Sequence, residues 1–429
     1  MAKPLRLGIA GLGTVGTGVI KIIQTHADLL ERRTGRKIVI TGVSARSRNK
    51  DRPVDISAYS WHDDPVALAT SDDIDLFVEV MGGSDGPAKA ATEAAIAAGK
   101  DVVSANKALL AHHGQALAEA AEAKGHVIRF EAAVAGGIPV IKALTEGLAG
   151  NQIRRVVGVM NGTCNYILTR MESAGLPYET VFEEARALGY LEADPNLDVG
   201  GIDAGHKLSL LAAIAFGTKV SFDAVALEGI GQISIDDIRR AADMGYKIKL
   251  LGVAQMTGRG LEQRMTPCLV PDDSPLGQLQ GGTNMVMLEG DSVGQIVLCG
   301  AGAGEGPTAS AILADVIDIA RGTRLSTFGQ PAAMLADPVV AKVSAPAAYY
   351  LRMELADKPG ALAKVATVLG NEGISIDRMR QYAHEDAKVA PVLIVTHKTT
   401  RDAVEHAFAN LPATGVILGA PVALRIEEI

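Results

Sequence analysis

Residues 5–30 read LRLGIAGLGTVGTGVIKIIQTHADLL, and the order of events in this stretch decides the fold. Leu5–Ala10 is short and almost wholly apolar, as a strand buried on both faces of a parallel sheet must be. It runs without a spacer into Gly11-Leu12-Gly13-Thr14-Val15-Gly16, and residues 17–30 then have helical character. A GxGxxG turn between a strand and a helix is a dinucleotide-binding element. Gly11 makes the tight turn, Gly13 lets the backbone approach a pyrophosphate, and Gly16 lets helix and strand pack closely. Thr14 and Val15 lie with them at the helix N-terminus, whose free N–H groups favour an anion.

Working outward, residues 37–43 form a second strand, followed by Ser44-Ala45-Arg46-Ser47-Arg48-Asn49-Lys50. An NAD-selective site carries an acidic residue here to hold the ribose hydroxyls. Arg46 and Ser47 suit a 2′-phosphate instead, so NADP is favoured, with NAD an open alternative. Residues 74–80 form a third strand and residues 101–104 a fourth, ending in Ser104-Ala105-Asn106-Lys107. Ligands bind beyond the carboxyl ends of such strands, so Lys107 should face the nicotinamide end of the cleft or else be a surface lysine capping the loop, and Ser104 beside it is a candidate cofactor-binding residue. A fifth strand over 126–131 leads into Glu131-Ala132-Ala133-Val134-Ala135-Gly136-Gly137-Ile138. A carboxylate before a glycine-rich turn could gather backbone carbonyls around a hard cation, or could be only a strand-to-helix turn. Strands alternating with Ala-rich helices predict an α/β, Rossmann-type, doubly wound parallel sheet over residues 1–150.

From about residue 151 the pattern changes to longer strands and helices without a second nucleotide turn, an α+β domain over 151–302. Its centre, GYLEADPNLDVGGIDAGHKLSLLAAIA from Gly189, holds Glu192, Asp194, Asp198 and Asp203 before and within a helix. Asp203 and Lys207 are one turn apart. At 100° per residue Lys207 falls within about 60° of Leu210, Leu211 and Ile214, so both charges project from the apolar stripe. His206 and Ser209 form the polar face. A lysine on the inward side is costly unless paired, and is either a candidate proton donor or half of a buried structural ion pair. Cys164 is a poor nucleophile candidate. The glycine loop 300–306 starts a helix that returns to the first domain, so 303–322 completes it. Residues 323–348, rich in proline, read as a linker. Residues 349–429 follow a βαββαβ order, a ferredoxin-like module without a catalytic cluster, whose removal is expected to leave activity intact.

The chain has 429 residues, 48% hydrophobic and 21% charged, with a net charge of −8, so no basic excess points to nucleic acid and no charged tail to a membrane surface. No window approaches the roughly 18 apolar residues of a transmembrane helix, and the N-terminus does not read as a signal peptide. The three cysteines are widely spaced, without a CxxC, which fits a reducing compartment. A cytoplasmic enzyme is expected.

With these pieces placed, the chain resembles the homoserine dehydrogenases that carry a C-terminal ACT domain, and the resemblance covers essentially all of it. It rests on GLGTVG (11–16), SANK (104–107), EAAVAGGIPVI (131–141), NGTCNYIL (161–168) and above all GYLEADPNLDVGGIDAGHKL (189–208). The resemblance implies reversible reduction of L-aspartate 4-semialdehyde to L-homoserine with NAD(P)H. It implies Lys207 as proton donor, Lys107 assisting at the reacting oxygen, and Asp203, Glu192 and Asp198 around the amino-acid substrate. Glu131 with the carbonyls of Val134, Gly136 and Ile138 would hold a sodium ion, and Gly189 and Gly306 would approach the cofactor. DKPGALAKVATVLGNEGISI (357–376) resembles the ACT ligand signature, with threonine as the implied effector. A homo-oligomer, dimer or tetramer, is implied as well.

Overall fold

A computed structural model of the chain describes residues 2–191, 194–382, 386 and 388–429. Glu192, and most of the turn expected at 384–386, lie outside the described residues. The first domain contains β1 (Leu5–Ala10), α1 (Thr14–Thr34), β2 (Ile38–Ser44), β3 (Ser60–His62), α2 (Pro65–Thr70), β4 (Leu76–Glu79), α3 (Pro87–Ala97), β5 (Asp101–Ser104), α4 (Lys107–Glu122) and β6 (Ile128–Arg129). All strands are parallel, in the order β3-β2-β1-β4-β5-β6. The winding reverses between β1 and β4, where this architecture opens its ligand crevice. The edge strand β3 has no sequence signal, and the expected fifth strand shrinks to two residues because Glu131 already begins a 3₁₀ turn.

After a short helix, α5 (Val140–Lys142), the second domain comprises β7 (Ile153–Val159), α6 (Gly162–Ala174), α7 (Tyr178–Ala187), α8 (Asn196–Val199), α9 (Ile202–Phe216), β8 (Ala226–Leu227), α10 (Ile235–Ala242), β9 (Tyr246–Thr257), β10 (Gly260–Pro271), β11 (Thr283–Gly290) and β12 (Gly294–Ala301). Strands β7, β9, β10, β11 and β12 pair antiparallel. The next helix, α11 (Glu305–Arg321), packs on α1 and closes the nucleotide-binding domain, with Arg321 donating to the Arg33 carbonyl at 3.1 Å. Residues 323–348 lie against both domains. Phe328 is buried against Phe130, and Ala336 and Val339 bond backbone to backbone with Gly217 and Leu261.

The tail has β13 (Tyr349–Ala356), α12 (Ala361–Asn371), β14 (Ile376–Gln381), β15 (Val389–Thr396), α13 (Arg401–Asn410) and β16 (Val422–Ile426). Its order is the expected one, but it is not a separate bead. Strand β16 pairs antiparallel with β13 and parallel with β10, so the tail and the second domain share one ten-stranded sheet. The seam is charged as well as hydrogen-bonded. Buried Glu427 meets Arg264, Arg425 and Arg155, and Arg352 of β13 holds the fully buried Asp237 of α10. Tyr350, Leu393, Val395, Leu424 and Ile426 of the tail belong to the same apolar cluster as Ile238, Met244 and Ile248.

Candidate active site

The cleft begins at the glycine turn. Gly11 has φ +103°, and a Cβ there would lie 2.4 Å from the Val80 carbonyl oxygen; one on Gly16 would lie 1.9 Å from that of Gly11. Only glycine brings β1, α1 and the end of β4 this close. Gly13, by contrast, faces open space, as the position approached by a pyrophosphate requires. A cleft of about 640 Å³ is lined there by Gly11, Leu12, Gly13, Arg46, Ser47, Lys50 and Arg52. Arg52 donates to the carbonyls of Ser47, Arg48 and Lys50 and so shapes the loop, while Arg46 stands exposed beside the cleft. Asp63 also lines it, and its carboxylate accepts the Trp61 indole N–H.

Across Val80, Met81 and Gly82 the cleft continues into a second part of about 890 Å³. Its walls carry Val15, Lys107, Gly136, Gly189, Asp198, Asp203 and Lys207, gathered from four separate regions of the chain. Ser104 is not among them. It is fully buried, its hydroxyl donating to Glu79 and accepting the Asn106 amide N–H, so it fixes the strand end behind Lys107 rather than facing the cleft. Burial raises the Glu79 acid; Ser104 and the Met81 and Gly82 amides all donate to its carboxyl. Gly306 is exposed in the first turn of α11, where Ala301, Gly302, Ala303, Gly304 and Thr308 line the cleft around it.

At the centre stands one carboxylate between two ammonium groups. Asp203 Oδ2 accepts from Lys207 Nζ at 2.7 Å, and Lys107 Nζ lies 2.8 Å from Oδ1. Lys207 also donates to the Met160 carbonyl at 2.9 Å, at the end of β7. Burial alone would raise the Asp203 acid, but the two lysines outweigh it and hold it well below the usual carboxylate range. Asp203 sits in the first turn of α9, where the helix dipole favours a negative charge. Helix α9 is apolar enough to lie buried from Asp203 to Ala213, packed among α4, β7, β9 and β10. The expected polar face is therefore buried too. Ser209 donates to the His206 carbonyl, and His206 packs against Phe222 and His112. Burial, with His112 alongside, lowers His206 to about 4, so at neutral pH it adds no charge beside Lys207.

Asn161, not singled out from sequence, ties the carboxylates together. As N-cap of α6 it accepts the Cys164 amide N–H, and its own N–H groups donate to Asp198 at 3.0 Å and Asp203 at 3.4 Å. An Asn just before a helical run reads as a cap; nothing local reveals the carboxylates it reaches. Cys164 is fully buried, and burial pushes its thiol well up, which removes it as a nucleophile.

Glu131 lies behind this wall. Its carboxylate accepts the amide N–H groups of Ile141 and Lys142, and burial together with Asp315 raises it to about 7. The turn after it contains Ala135 at φ +57° and Gly136 at φ +52°. Among the described residues no group of three His, Cys, Asp or Glu side chains is placed to hold a metal ion, and no helix is long and apolar enough to cross a membrane.

Comparison with known proteins covers the same three parts. The chain matches the NAD-binding domain of homoserine dehydrogenase over residues 11–131, homoserine dehydrogenase itself over 139–317 and the ACT domain over 349–412. It is 42% identical to a homoserine dehydrogenase of Neisseria gonorrhoeae over 100% of this chain and 99% of that one. A crystal structure of a homoserine dehydrogenase from Thiobacillus denitrificans superimposes with a TM-score of 0.93 at 40% identity, covering 99% of this chain and 98% of that one. A hyperthermophilic archaeal homoserine dehydrogenase in complex with NADPH matches 74% of this chain and 97% of its own at 26% identity and a TM-score of 0.63. Similarity of this order from end to end, reaching through cofactor cleft, lysine pair and tail alike, means that the chain belongs to the homoserine dehydrogenase family, in its form with a C-terminal ACT domain.

Proposed function

We propose that Lys207 carries the proton in the interconversion of L-aspartate 4-semialdehyde and L-homoserine, with Lys107 assisting and Asp203 holding both lysines in place. The reaction itself is that of the family, and the enzyme is an NAD(P)-dependent oxidoreductase. The observation that carries the assignment is the shared carboxylate: Asp203 takes one ammonium on each oxygen at the wall of the cleft. A bound nicotinamide supplies hydride to the aldehyde carbon, or accepts it from the alcohol. Lys207 has three N–H donors. Two are spent on Asp203 and Met160, which aim the third at the substrate oxygen. An ammonium there stabilises the developing alkoxide and then delivers the proton. In the oxidative direction the same nitrogen takes the proton back. Asp198, tethered by Asn161 and buried at the cleft, and Glu192 suit the ammonium group of the amino acid. A dinucleotide sensor without turnover has no use for a lysine aimed in this way.

NADP is the preferred cofactor in this reading. Support comes from the exposed Arg46 and Ser47 at the nucleotide end of the cleft and from the NADPH bound by the archaeal relative. Arg46→Ala is then expected to raise KM for NADP by about tenfold, the loss of one charge-assisted contact, and to leave KM for NAD nearly unchanged. Equal effects on steady-state KM for the two cofactors would reject the 2′-phosphate role.

A sodium ion held by Glu131 and the carbonyls of Val134, Gly136 and Ile138 fits the donor set, since hard cations take oxygen ligands. It would offset the crowding of Glu131 and Asp315, and the left-handed Ala135 stores strain where a ligand turn is needed. Melting midpoints should be higher in sodium chloride than in choline chloride of equal ionic strength; identical midpoints would count against the ion. The tail is proposed to bind threonine as an effector, and the chain to form a dimer or tetramer, which sedimentation velocity would measure directly.

A further inference from the structure

Strand β11 runs TNMVMLEG, and within it Asn284 is out of place. Asparagine is depleted in strands, and the neighbours that share its orientation, Val286 and Leu288, lie in the apolar core. Yet Asn284 is only 1% exposed, and its Oδ1 is buried without a hydrogen-bond partner. No hydrogen bond of its Nδ2 is found among the described residues either. Leaving a buried amide oxygen unpaired costs about 1–3 kcal/mol, so such a group calls for an explanation.

Two glycines make room for it. A Cβ on Gly302 would lie 2.0 Å from Asn284 Nδ2, and one on Gly162 would lie 3.4 Å from Oδ1. All three residues line the reaction half of the cleft, between the glycine loop that leads into α11 and the start of α6. The amide is thus held rigidly by a strand, walled by residues without side chains, and unused on both its donor and its acceptor side.

We propose that Asn284 positions the cofactor by pairing its carboxamide with the carboxamide of the nicotinamide ring. A primary amide offers a donor and an acceptor in one plane, which matches both unused sides of the asparagine. The substrate's reacting oxygen and ammonium group are answered instead by Lys207, Lys107 and Asp198 in the same cleft. The inference rests on the cleft being the nicotinamide site, as proposed above.

The test compares two cofactors that differ only at this amide: NADP and its 3-acetylpyridine analogue, whose methyl ketone lacks the N–H donors. Dissociation constants come from calorimetry with the full chain. Asn284→Ala should weaken NADP by about 10- to 100-fold, two hydrogen bonds of ordinary strength, and weaken the analogue several-fold less. Equal losses for both cofactors, or an unchanged NADP affinity with a raised KM for homoserine, would overturn the proposal. Failure of the wild-type chain to bind either cofactor would instead sink the reading of the cleft. A second measurement concerns the cofactor-free protein. Asn284→Leu removes an unpaired polar group from a buried site, so its melting temperature should equal or exceed that of the wild type, while the rise on adding NADP should be smaller. A lower melting temperature in the cofactor-free variant, with the NADP-induced rise unchanged, would make the amide structural and overturn the assignment. Should Asn284→Leu not fold, Asn284→Ser, too short to reach a ligand amide, gives the same cofactor comparison.

Discussion

Lys207→Ala is expected to lower turnover by about 10²- to 10⁴-fold, the contribution of a positioned general acid, while NADP still binds with nearly unchanged affinity. The lysine reaches Asp203 and the Met160 carbonyl in the reaction half of the cleft, away from the glycine turn and Arg46 at the nucleotide end. Taking one partner from a buried ion pair ordinarily destabilises by about 3–5 kcal/mol. Here the remaining carboxylate keeps Lys107 at 2.8 Å, so Asp203 is not stranded and the variant should fold. Lys207→Met, which keeps the apolar stem, serves as a second variant. Stopped-flow hydride transfer and cofactor titration measure the two quantities separately. Near-normal turnover in a destabilised variant would make the pair a structural one.

A chain ending at Ala348 should fail to fold as an enzyme. Sequence alone suggested a removable tail, but the cut takes out β16, leaving the β10 edge without its partner. It also strips buried Arg264 of Glu427 and fully buried Asp237 of Arg352. Arg264 keeps Glu262 and Asp237 keeps Ser234, so neither charge is left without a partner, but each loses its strongest one, and the two losses together are a sizeable share of a domain's stability of about 5–15 kcal/mol. The exposed remainder of the Ile238 and Met244 cluster adds to that loss. Aggregation or a melting curve without a cooperative transition is the expected result, and a soluble truncated chain with normal turnover would show that the seam is dispensable. The threonine proposal is therefore best examined in the full chain, where calorimetric titration should give binding heat. No heat would reject threonine as the effector.

What the sequence carried, it carried through local pattern. Strand, GxGxxG and helix follow one another directly, so the nucleotide domain was readable at Leu5 to Leu30. The inward-facing Asp203 and Lys207 followed from helical periodicity. What escaped depends on partners distant in sequence. Ser104 looked like a ligand residue because it ends a strand, but Glu79 on the neighbouring strand captures its hydroxyl. His206 looked like a polar face because periodicity is blind to α4 and Phe222 packing on that side. The β10–β16 pairing joins residues 268 and 425, which no local signal connects. Asn161 and Asn284 were passed over because a cap and a strand residue look ordinary until their neighbours are in place.

The return of α11 to α1 couples the first domain to the second. Arg321 reaches the Arg33 carbonyl across 288 positions of chain, and a Cβ on Gly18 would lie 2.8 Å from the Glu305 side chain. The whole second domain is threaded between these helices. Closing so long a loop early is entropically unfavourable, yet the ends of the insertion already meet where Gly137 donates to the Ala301 carbonyl at 3.0 Å. A folded second domain brings α11 to α1 at little further cost, whereas an unfolded one leaves them far apart. Completion of the nucleotide-binding domain is thus coupled to the second domain, and a substitution that unfolds the second domain is expected to loosen the cofactor cleft as well.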